Sequence, residues 1–173
     1  MPVELYSRPE YVPVVSVNVD TSVVAPGSDD RLEDAWNLKE TIRQSDGVLK
    51  QRRSFFADAY RRSTVHLLVD GDDLVGFAAV RRDGYILFLA VAPGYRGEGF
   101  GKRLVATVAE EHDSVTCHAR ATNDSALQFY ESLGFEIKRR IDAYYEDGGD
   151  AYYLKLGDDA GLASKLSDLV RRR

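Results

Sequence analysis

Apolar side chains in the first third of the chain recur at helical spacing. Leu32, Ala35, Trp36 and Ile42 share one side of a 3.6-residue period and predict a first helix. The same spacing predicts a second helix over residues 48–62. Two consecutive helices are therefore expected before residue 63.

The pattern changes to alternation after the second predicted helix. Three strands are expected, at Thr64–Val69, Leu74–Val80 and Tyr85–Val91. Gly71-Asp72-Asp73 and Asp83-Gly84 lie between them and are typical of tight turns. Strands joined by such short turns pair as an antiparallel meander.

Helices and strands alternate in the second half of the chain. Helices are predicted over Gly99–Glu111 and Asn123–Leu133, the second ended by Gly134. Strands are predicted at the remaining apolar segments, Ser114–Ala119, Phe135–Ile141 and Ala151–Leu156. Because a helix joins strand Tyr85–Val91 to strand Ser114–Ala119, these two should run parallel. The expected fold class is α/β, with a mixed, mostly antiparallel central sheet flanked by helices.

The 173 residues are enough for one domain with a sizeable core. We expect a single domain over residues 1–157, including an N-terminal extension, and a C-terminal helix or tail over residues 158–173. Within the extension, Tyr11 to Val19 alternate around valines and predict a strand. Because Pro13 cannot donate a backbone hydrogen bond, that strand is expected at a sheet edge.

Composition and charge exclude several classes of protein. With 28 acidic and 23 basic residues the net charge is −5, whereas a nucleic-acid-binding surface needs a basic excess. No apolar run approaches the roughly 18 residues of a membrane helix, and the N-terminus does not resemble a secretory signal. Cys117 is the single cysteine, so neither an internal disulfide nor a metal cluster is expected. These features favour a cytoplasmic protein without nucleic acid, membrane or metal. A monomer or homodimer is expected.

A glycine-rich turn follows the third meander strand, within residues 91–102. Three glycines allow the backbone to approach a ligand closely: Gly97, Gly99 and Gly101. The free N–H groups and the dipole of the following helix favour an anion there, most simply a pyrophosphate. Arg96 and Lys102 add positive charge.

Two common nucleotide-binding patterns do not fit this turn. The Walker pattern G-x-x-x-x-G-K-S/T would place its first glycine at Arg96 and its Ser/Thr at Arg103. The dinucleotide pattern G-x-G-x-x-G would need a glycine at Lys102 and a βαβ unit, whereas this turn follows a meander. The pattern that remains is Arg96-x-x-Gly99-x-Gly101.

This pattern resembles the pyrophosphate signature Q/R-x-x-G-x-G/A of the GNAT family of N-acetyltransferases. A second match, to the family's N…A…F/L/I-Y…G-F segment, involves Asn123, Ala126, Phe129-Tyr130 and Gly134-Phe135. The resemblance covers roughly residues 64–156 and is greatest to the ribosomal-protein alanine and N-terminal acetyltransferase branch. It implies the GNAT fold and acetyl-CoA as cosubstrate, with no metal.

The resemblance also implies which residues hold the donor. The backbone of Leu89, Ala90 and Val91 would pair with the pantetheine arm of acetyl-CoA. The pyrophosphate would lie on the turn, at Arg96, Gly97, Glu98, Gly99, Phe100, Gly101 and Lys102. Asn123 would hydrogen-bond near the pantetheine. Tyr130 would lie beside the thioester sulfur, where a phenol can protonate the departing thiolate; without the motif it is an ordinary helix tyrosine.

An amine attacks a thioester only as the free base, so a proton acceptor is needed. Strand period places His118 on the polar face of its strand and Cys117 on the apolar face, where it is expected to pack in the core. Relatives that acetylate protein N-termini often carry His or Glu at this spacing, and imidazole suits a base at neutral pH. In one branch a tyrosine at the position of Tyr85 assists through water. A structural histidine and an ordinary strand tyrosine remain alternatives.

Residues 144–152 resemble the Y-Y-x-D-G-x-D-A segment that covers the peptide N-terminus in the same branch. Tyr144 and Tyr145 are therefore the candidate substrate-binding residues; the alternative is an acidic hairpin with tyrosines of high β propensity. Residues 31–62 show no match to the relatives' substrate loop. Transfer to a protein α-amine is accordingly expected, with a lysine or small-molecule amine as an alternative acceptor. A non-catalytic CoA-binding module and a nucleotide binder of another family are further alternatives.

Overall fold

The computed structural model describes residues 18–157, which contain seven strands and four α-helices. The strands are β1 (Asp20–Val24), β2 (Thr64–Asp70), β3 (Asp73–Val80), β4 (Ile86–Val91), β5 (Val115–Arg120), β6 (Glu136–Ile141) and β7 (Ala151–Leu156). The helices are α1 (Leu32–Asp46), α2 (Arg53–Arg62), α3 (Phe100–Glu110) and α4 (Asp124–Ser132). The predicted order of helices, meander strands and alternating elements is confirmed from α1 onwards.

The strands form two antiparallel sheets instead of one continuous sheet. The first has the order β1-β2-β3-β4 and the second the order β5-β7-β6. A single parallel bridge between Tyr85 and Thr116 joins them, with Thr116 N donating to Gly84 O at 3.1 Å. The bridge confirms the parallel crossover from β4 through α3 to β5. Beyond it the two strands diverge, which opens a cleft between the sheets.

Two apolar cores hold the helices against the sheets. The first lies under α1 and α2 and centres on Phe56, whose ring contacts those of Trp36, Tyr60, Phe77 and Phe88. The second packs α3 and α4 against both sheets. Its α3 side chains include the three at helical spacing, Leu104, Val105 and Val108. Burial of each large apolar side chain stabilises the fold by about 1.5–3 kcal/mol. The two cores therefore hold the two sheets, and the cleft between the sheets, in place.

The prediction of a second helix over residues 48–62 was wrong at its N-terminal end. The helix begins at Arg53, and residues 47–52 form a loop. The Gln51 carbonyl accepts a hydrogen bond from Lys39 Nζ at 2.5 Å. That bond takes the Gln51 carbonyl out of the helical hydrogen-bond ladder. The helix therefore begins later than the apolar periodicity predicts.

The first strand also differs from its prediction. Three polar residues open β1, so its sequence has no alternating pattern, and it pairs with β2 at the edge of the first sheet. Only the last two residues of the predicted strand Tyr11–Val19 are described, and they precede β1. Its remainder and the predicted C-terminal helix or tail, 158–173, lie outside the described residues. Within 18–157, no helix is long and apolar enough to cross a membrane.

Candidate active site

A cleft of about 1210 Å³ lies where the two sheets diverge. Its lining comes from β4, β5, the glycine-rich turn, the start of α4, the α1–α2 loop and the β6–β7 loop. Most of the predicted site residues line it: Leu89, Ala90, Val91, Arg96, Gly97, Gly99, Phe100, Gly101, Lys102, His118, Asn123, Tyr130 and Tyr145. Glu98, Tyr85 and Tyr144 do not. One cavity therefore contains both the predicted donor site and the predicted base.

The edge of β4 that faces the cleft offers free backbone groups. Its other edge pairs with β3, with Leu89 opposite Ala78 and Val91 opposite Gly76. Towards β5 the pairing is limited to the bridge at Tyr85. An unpaired strand edge of this kind can hydrogen-bond an extended ligand that carries amides. This geometry suits the amide-containing arm of a pantetheine.

The glycine-rich turn delivers the chain to the N-terminus of α3. Gly99 occupies the N-cap position at φ 84° and no side chain caps the helix, so its first N–H groups lack the usual side-chain partner. Gly97 also has a positive φ, 81°. A Cβ on Gly101 would lie 3.1 Å from the Phe129 ring, so a glycine there allows α3 and α4 to pack closely. The turn fits the anion site expected from its sequence.

The predicted phosphate ligand Arg96 has a carboxylate partner in the structure. Its Nη2 lies 2.7 Å from Asp46 Oδ2, at the end of α1, and both side chains are partly exposed. This hydrogen bond, more than that from Ser45, holds the pKa of Asp46 below its usual range. Asp46 lines the cleft and is charged at neutral pH. Glu98, in contrast, is exposed outside the cleft.

Asn123 and Tyr130 lie on α4. Asn123 caps the helix, since its Oδ1 accepts a hydrogen bond from Ala126 N at 3.1 Å. Tyr130 is buried next to the thiol of Cys117. Burial raises the pKa of Tyr130 well above its usual value and that of Cys117 to about 12. The phenol is therefore protonated at neutral pH and able to donate, whereas the thiol is not a nucleophile.

His118 lies among three tyrosines. Its Nδ1 is 2.6 Å from the Tyr85 hydroxyl, and its ring stacks on Tyr144 with centroids 4.4 Å apart and planes 11° apart. The Tyr153 ring lies 5.1 Å away. Nε2 is buried and has no hydrogen-bond partner. Burial, and then the charge of Arg139, lowers the pKa of His118, so the imidazole is neutral at neutral pH.

Tyr85 and Tyr144 contact the histidine from outside the cleft lining. The Tyr144 hydroxyl lies 3.5 Å from the same Nδ1, and burial, more than the neighbouring Tyr144, raises the pKa of Tyr85. Tyr85 therefore stays protonated, and its oxygen can accept from the imidazole Nδ1–H. In that tautomer the lone pair lies on Nε2.

The β6–β7 loop, residues 142–150, is bound to the opposite side of the cleft. Asp147 accepts hydrogen bonds from Arg120 Nη1 at 3.0 Å and from Lys50 Nζ at 3.2 Å. These contacts, with the Arg120 bond the largest and the Gly149 N–H next, hold the pKa of Asp147 well below its usual range. The Arg120 guanidinium lies 4.0 Å from the Tyr145 ring centroid. The α1–α2 loop and the β6–β7 loop thus meet at one end of the cleft, where Lys50 contacts Asp147.

Sequence reasoning missed several polar residues of this site, among them Asp46, Gln51, Arg120 and Asp147. Arg120 could have been found, because strand period puts it on the same face as His118. The other three belong to loops or a helix end. The contacts of Asp46 and Asp147 join segments 50 and 97 residues apart, and the Gln51 carbonyl contacts Lys39, 12 residues away. No local pattern marks such contacts.

Comparison with known proteins identifies the domain. Residues 61–137 match the family model described as "Acetyltransferase (GNAT) domain". N-alpha-acetyltransferase 30 of Xenopus laevis is 39% identical over 103 residues, which cover 52% of this chain and 38% of that protein. Mycothiol acetyltransferase of Corynebacterium efficiens is 34% identical over 137 residues, 69% of this chain and 46% of that protein. The chain spans less than half the length of either relative.

Solved structures share the fold over most of the described residues. The ribosomal-protein-S18-alanine N-acetyltransferase from Escherichia coli superposes with a TM-score of 0.64 at 21% identity, covering 82% of this chain and 96% of that one. Arabidopsis thaliana Naa50, in complex with the bisubstrate analogue CoA-Ac-MVNAL, has a TM-score of 0.60 at 26% identity and covers 79% and 98%. Motifs, fold and family model agree, and this chain carries an acetyltransferase domain of the GNAT family.

Proposed function

We propose that the protein transfers an acetyl group from acetyl-CoA to a primary amine, in the first place the α-amine at a protein N-terminus. The observation that carries this proposal is the pair of groups on one cleft: a neutral imidazole with a free nitrogen and a protonated phenol. One can accept a proton and the other can donate one. We further propose that residues 1–157 form a single domain of this kind.

The donor fits the side of the cleft nearest β4 and the turn. The free edge of β4 at Leu89–Val91 would pair with the pantetheine amides. The N–H groups at the start of α3, with Arg96 and Lys102, would bind the pyrophosphate. The Asn123 amide, whose oxygen caps α4, would contact the pantetheine through its NH₂ group. When bound, the donor supplies the electrophilic thioester carbonyl.

The protein's own groups would manage two protons. His118 Nε2 accepts one from the attacking amine, and Tyr85 holds the Nδ1–H of the same ring so that Nε2 keeps its lone pair. Tyr130 gives its hydroxyl proton to the leaving sulfur as the C–S bond breaks and the C–N bond forms. The proton that His118 took from the amine then passes through solvent to the Tyr130 phenolate, which restores both groups. Each turnover thus moves one proton from the amine to the thiol.

An α-amine is the acceptor that needs least help from such a base. Its pKa is near 7.7–8.0, compared with about 10.4 for a lysine side chain, while His118 has a pKa below 6.5. Tyr145 lines the cleft and Tyr144 stacks on the base, so both would contact or orient the acceptor. The names of two relatives, N-alpha-acetyltransferase 30 and ribosomal-protein-S18-alanine N-acetyltransferase, point to the same acceptor.

The test is transfer to paired peptides, one with a free and one with a blocked α-amine, each containing an internal lysine. We expect acetylation of the free peptide alone, read by intact mass. Equal transfer to both peptides would assign the activity to lysine. No transfer to any amine, with acetyl-CoA still bound, would leave a CoA-binding module.

A small-molecule amine is the second candidate acceptor. The similarity to mycothiol acetyltransferase is the observation that favours it, since it extends over 69% of this chain. Small-molecule amines such as polyamines and aminoglycosides, offered beside the peptides, separate the two candidates. A kcat/KM for a small amine well above that for every peptide would select the small-molecule acceptor.

A further inference from the structure

The α1–α2 loop, residues 47–52, runs along the cleft between two ion pairs. At one end Asp46 pairs with Arg96 of the glycine-rich turn at 2.7 Å. At the other end Lys50 pairs with Asp147 of the β6–β7 loop at 3.2 Å. Residues of the loop line the cleft along its length. The loop is thus a wall of the proposed site, continuous from the donor phosphates to the acceptor end.

A buried lysine fixes the shape of this wall. Lys39 on α1 is fully buried, and its Nζ donates to Gln51 O at 2.5 Å and to Glu40 Oε1 at 3.0 Å. The same Nζ lies 4.5 Å from the centroid of the Trp36 ring. Leu49, two residues before Gln51, has a φ of 55°, which costs free energy for a leucine and persists only where its surroundings impose it. The position of Gln51 is therefore determined by groups other than its own side chain.

The Gln51 side chain carries an acceptor without a donor. Its Oε1 is buried and has no hydrogen-bond partner, although the residue lines the cleft. Among the described residues only four buried side-chain nitrogen or oxygen atoms lack a partner, and two of them belong to His66 in β2. The other two are Gln51 Oε1 and His118 Nε2, both on this cleft. Buried polar atoms are rarely left unpaired in proteins, so each such atom calls for an explanation.

We propose that Gln51 is a specificity-determining residue, whose Oε1 accepts a hydrogen bond from an N–H of the amine substrate. This inference rests on the proposed function. The amide is a suitable group because it accepts without carrying charge: a carboxylate in its place would stabilise the ammonium form that cannot attack. Gln51 Oε1 then holds one N–H of the amine substrate, and His118 Nε2 removes a proton from the same amine.

The decisive experiment uses Gln51→Met in the full-length protein. The substrates are acetyl-CoA and the peptide Met-Val-Asn-Ala-Leu, the sequence of the analogue bound to Naa50. Methionine keeps the length and shape of the side chain but removes the acceptor. We expect the KM of the peptide to rise roughly tenfold, and that of acetyl-CoA to change less than about twofold.

Two variants and a stability measurement complete the design. Gln51→Glu keeps an acceptor oxygen and is expected to keep the peptide KM within about threefold of the wild type, while its kcat falls because the carboxylate stabilises the unreactive ammonium form. Gln44→Met, the same change at an exposed position on α1, is the control without effect. Since Gln51→Met removes an unpaired buried polar atom, its Tm without substrates should equal or exceed that of the wild type.

The outcomes separate this inference from the function beneath it. An unchanged peptide KM in Gln51→Met, with the wild type active, overturns the role of Gln51 alone. So does a lower Tm accompanied by equal changes in both KM values, which would mean a structural role. A wild type that acetylates neither this peptide nor any amine of the panel overturns the proposed function itself.

Discussion

At the scale of single residues, the proposed chemistry depends on two groups whose surroundings hold them in useful protonation states. Burial lowers the pKa of His118 and raises that of Tyr130. The same loss of hydration thus favours the neutral form of both groups, because an imidazole is charged when it is protonated and a phenol is charged when it is deprotonated. A neutral imidazole can accept and a neutral phenol can donate, so the two can serve one reaction at one pH.

The first prediction concerns the pH dependence of His118→Gln. In the wild type, kcat should fall as the pH drops through the His118 pKa, which lies below 6.5, because the protonated ring cannot accept. We expect the variant to lose this acidic limb and roughly 10²–10⁴-fold in kcat at neutral pH. His112→Gln is the control, since that ring contacts Val108 O at the end of α3. An acidic limb of unchanged position in His118→Gln would remove His118 as the base.

The second prediction concerns Tyr130→Phe. The change removes the proton donor while keeping the ring that packs against Phe129 and Phe135, so the fold should persist. We expect kcat to fall roughly 10²–10⁴-fold while the Kd of acetyl-CoA, measured by calorimetry, stays within a few-fold. Tyr152→Phe changes a partly buried tyrosine that packs against the core outside the cleft, and it should leave kcat unchanged. A Tyr130→Phe enzyme with wild-type kcat would show that the sulfur leaves without this phenol.

At the scale of elements, Asp46 at the end of α1 and the pyrophosphate of the donor would compete for the positive charge of Arg96. Asp46 binds the guanidinium that the pyrophosphate would need, and it places a negative charge in the donor site. We therefore expect Asp46→Asn to bind acetyl-CoA about two- to fivefold more tightly and Arg96→Gln roughly tenfold more weakly. Calorimetric Kd values at low and high salt would measure both. Weaker binding by Asp46→Asn would mean that the ion pair builds the site instead of competing with it.

The β6–β7 loop provides the next prediction, with a matched control beside it. Asp147 ties the loop to Arg120 and Lys50, whereas the neighbouring Glu146 makes a 3.8 Å pair with Arg52 in which both side chains are more than 80% exposed. Exposed pairs contribute little. Asp147→Ala should raise the acceptor KM several-fold and speed proteolysis within residues 142–150, and Glu146→Ala should do neither. Equal behaviour of the two variants would contradict a role for the Asp147 contacts.

At the scale of the whole molecule, the sequence predicts those helices, strands and turns that are set by the spacing of apolar residues and glycines. The meander, the crossover and the helices after residue 99 follow from apolar spacing and glycine turns, and the structure has them within a residue or two. Two features of the fold were not predicted. The division into two sheets depends on how far β4 and β5 twist apart after the Tyr85–Thr116 bridge. The loop before α2 depends on a hydrogen bond from Lys39, twelve residues away from its acceptor.

The candidate site divides in the same way. The turn at Arg96–Lys102 and the strand position of His118 are local patterns, so the motif locates them. The proximity of Tyr85 to His118 was expected from resemblance only, and the Tyr85 hydroxyl lies 2.6 Å from His118 Nδ1. Asp46, Gln51 and Asp147 acquire their roles only through distant partners. Periodicity cannot encode such pairs.

His66 is a further residue that the sequence pattern hides, because it occupies an apolar position of β2. It is buried, neither ring nitrogen has a hydrogen-bond partner, and the Glu111 carboxylate lies 3.8 Å from Nε2. Burial lowers the pKa of His66, with the Glu111 charge opposing this and His112 adding to it. The unfolded chain, whose histidine titrates near 6.5, therefore binds a proton more readily than the folded one.

The last prediction is acid sensitivity of the fold. Because the folded pKa of His66 lies below the unfolded one, its contribution is fully present above about pH 6.5 and is lost as the pH falls through the folded pKa. His118 adds to this loss in the same direction. The Tm of the wild type should consequently fall between pH 7.5 and 5. The Tm of His66→Met should fall less over the same range, and Gln44→Met, at an exposed position on α1, is the control that should follow the wild type. Parallel pH profiles for the wild type and His66→Met would show that the ring is hydrated in the folded protein, since a hydrated imidazole keeps the same pKa in both states.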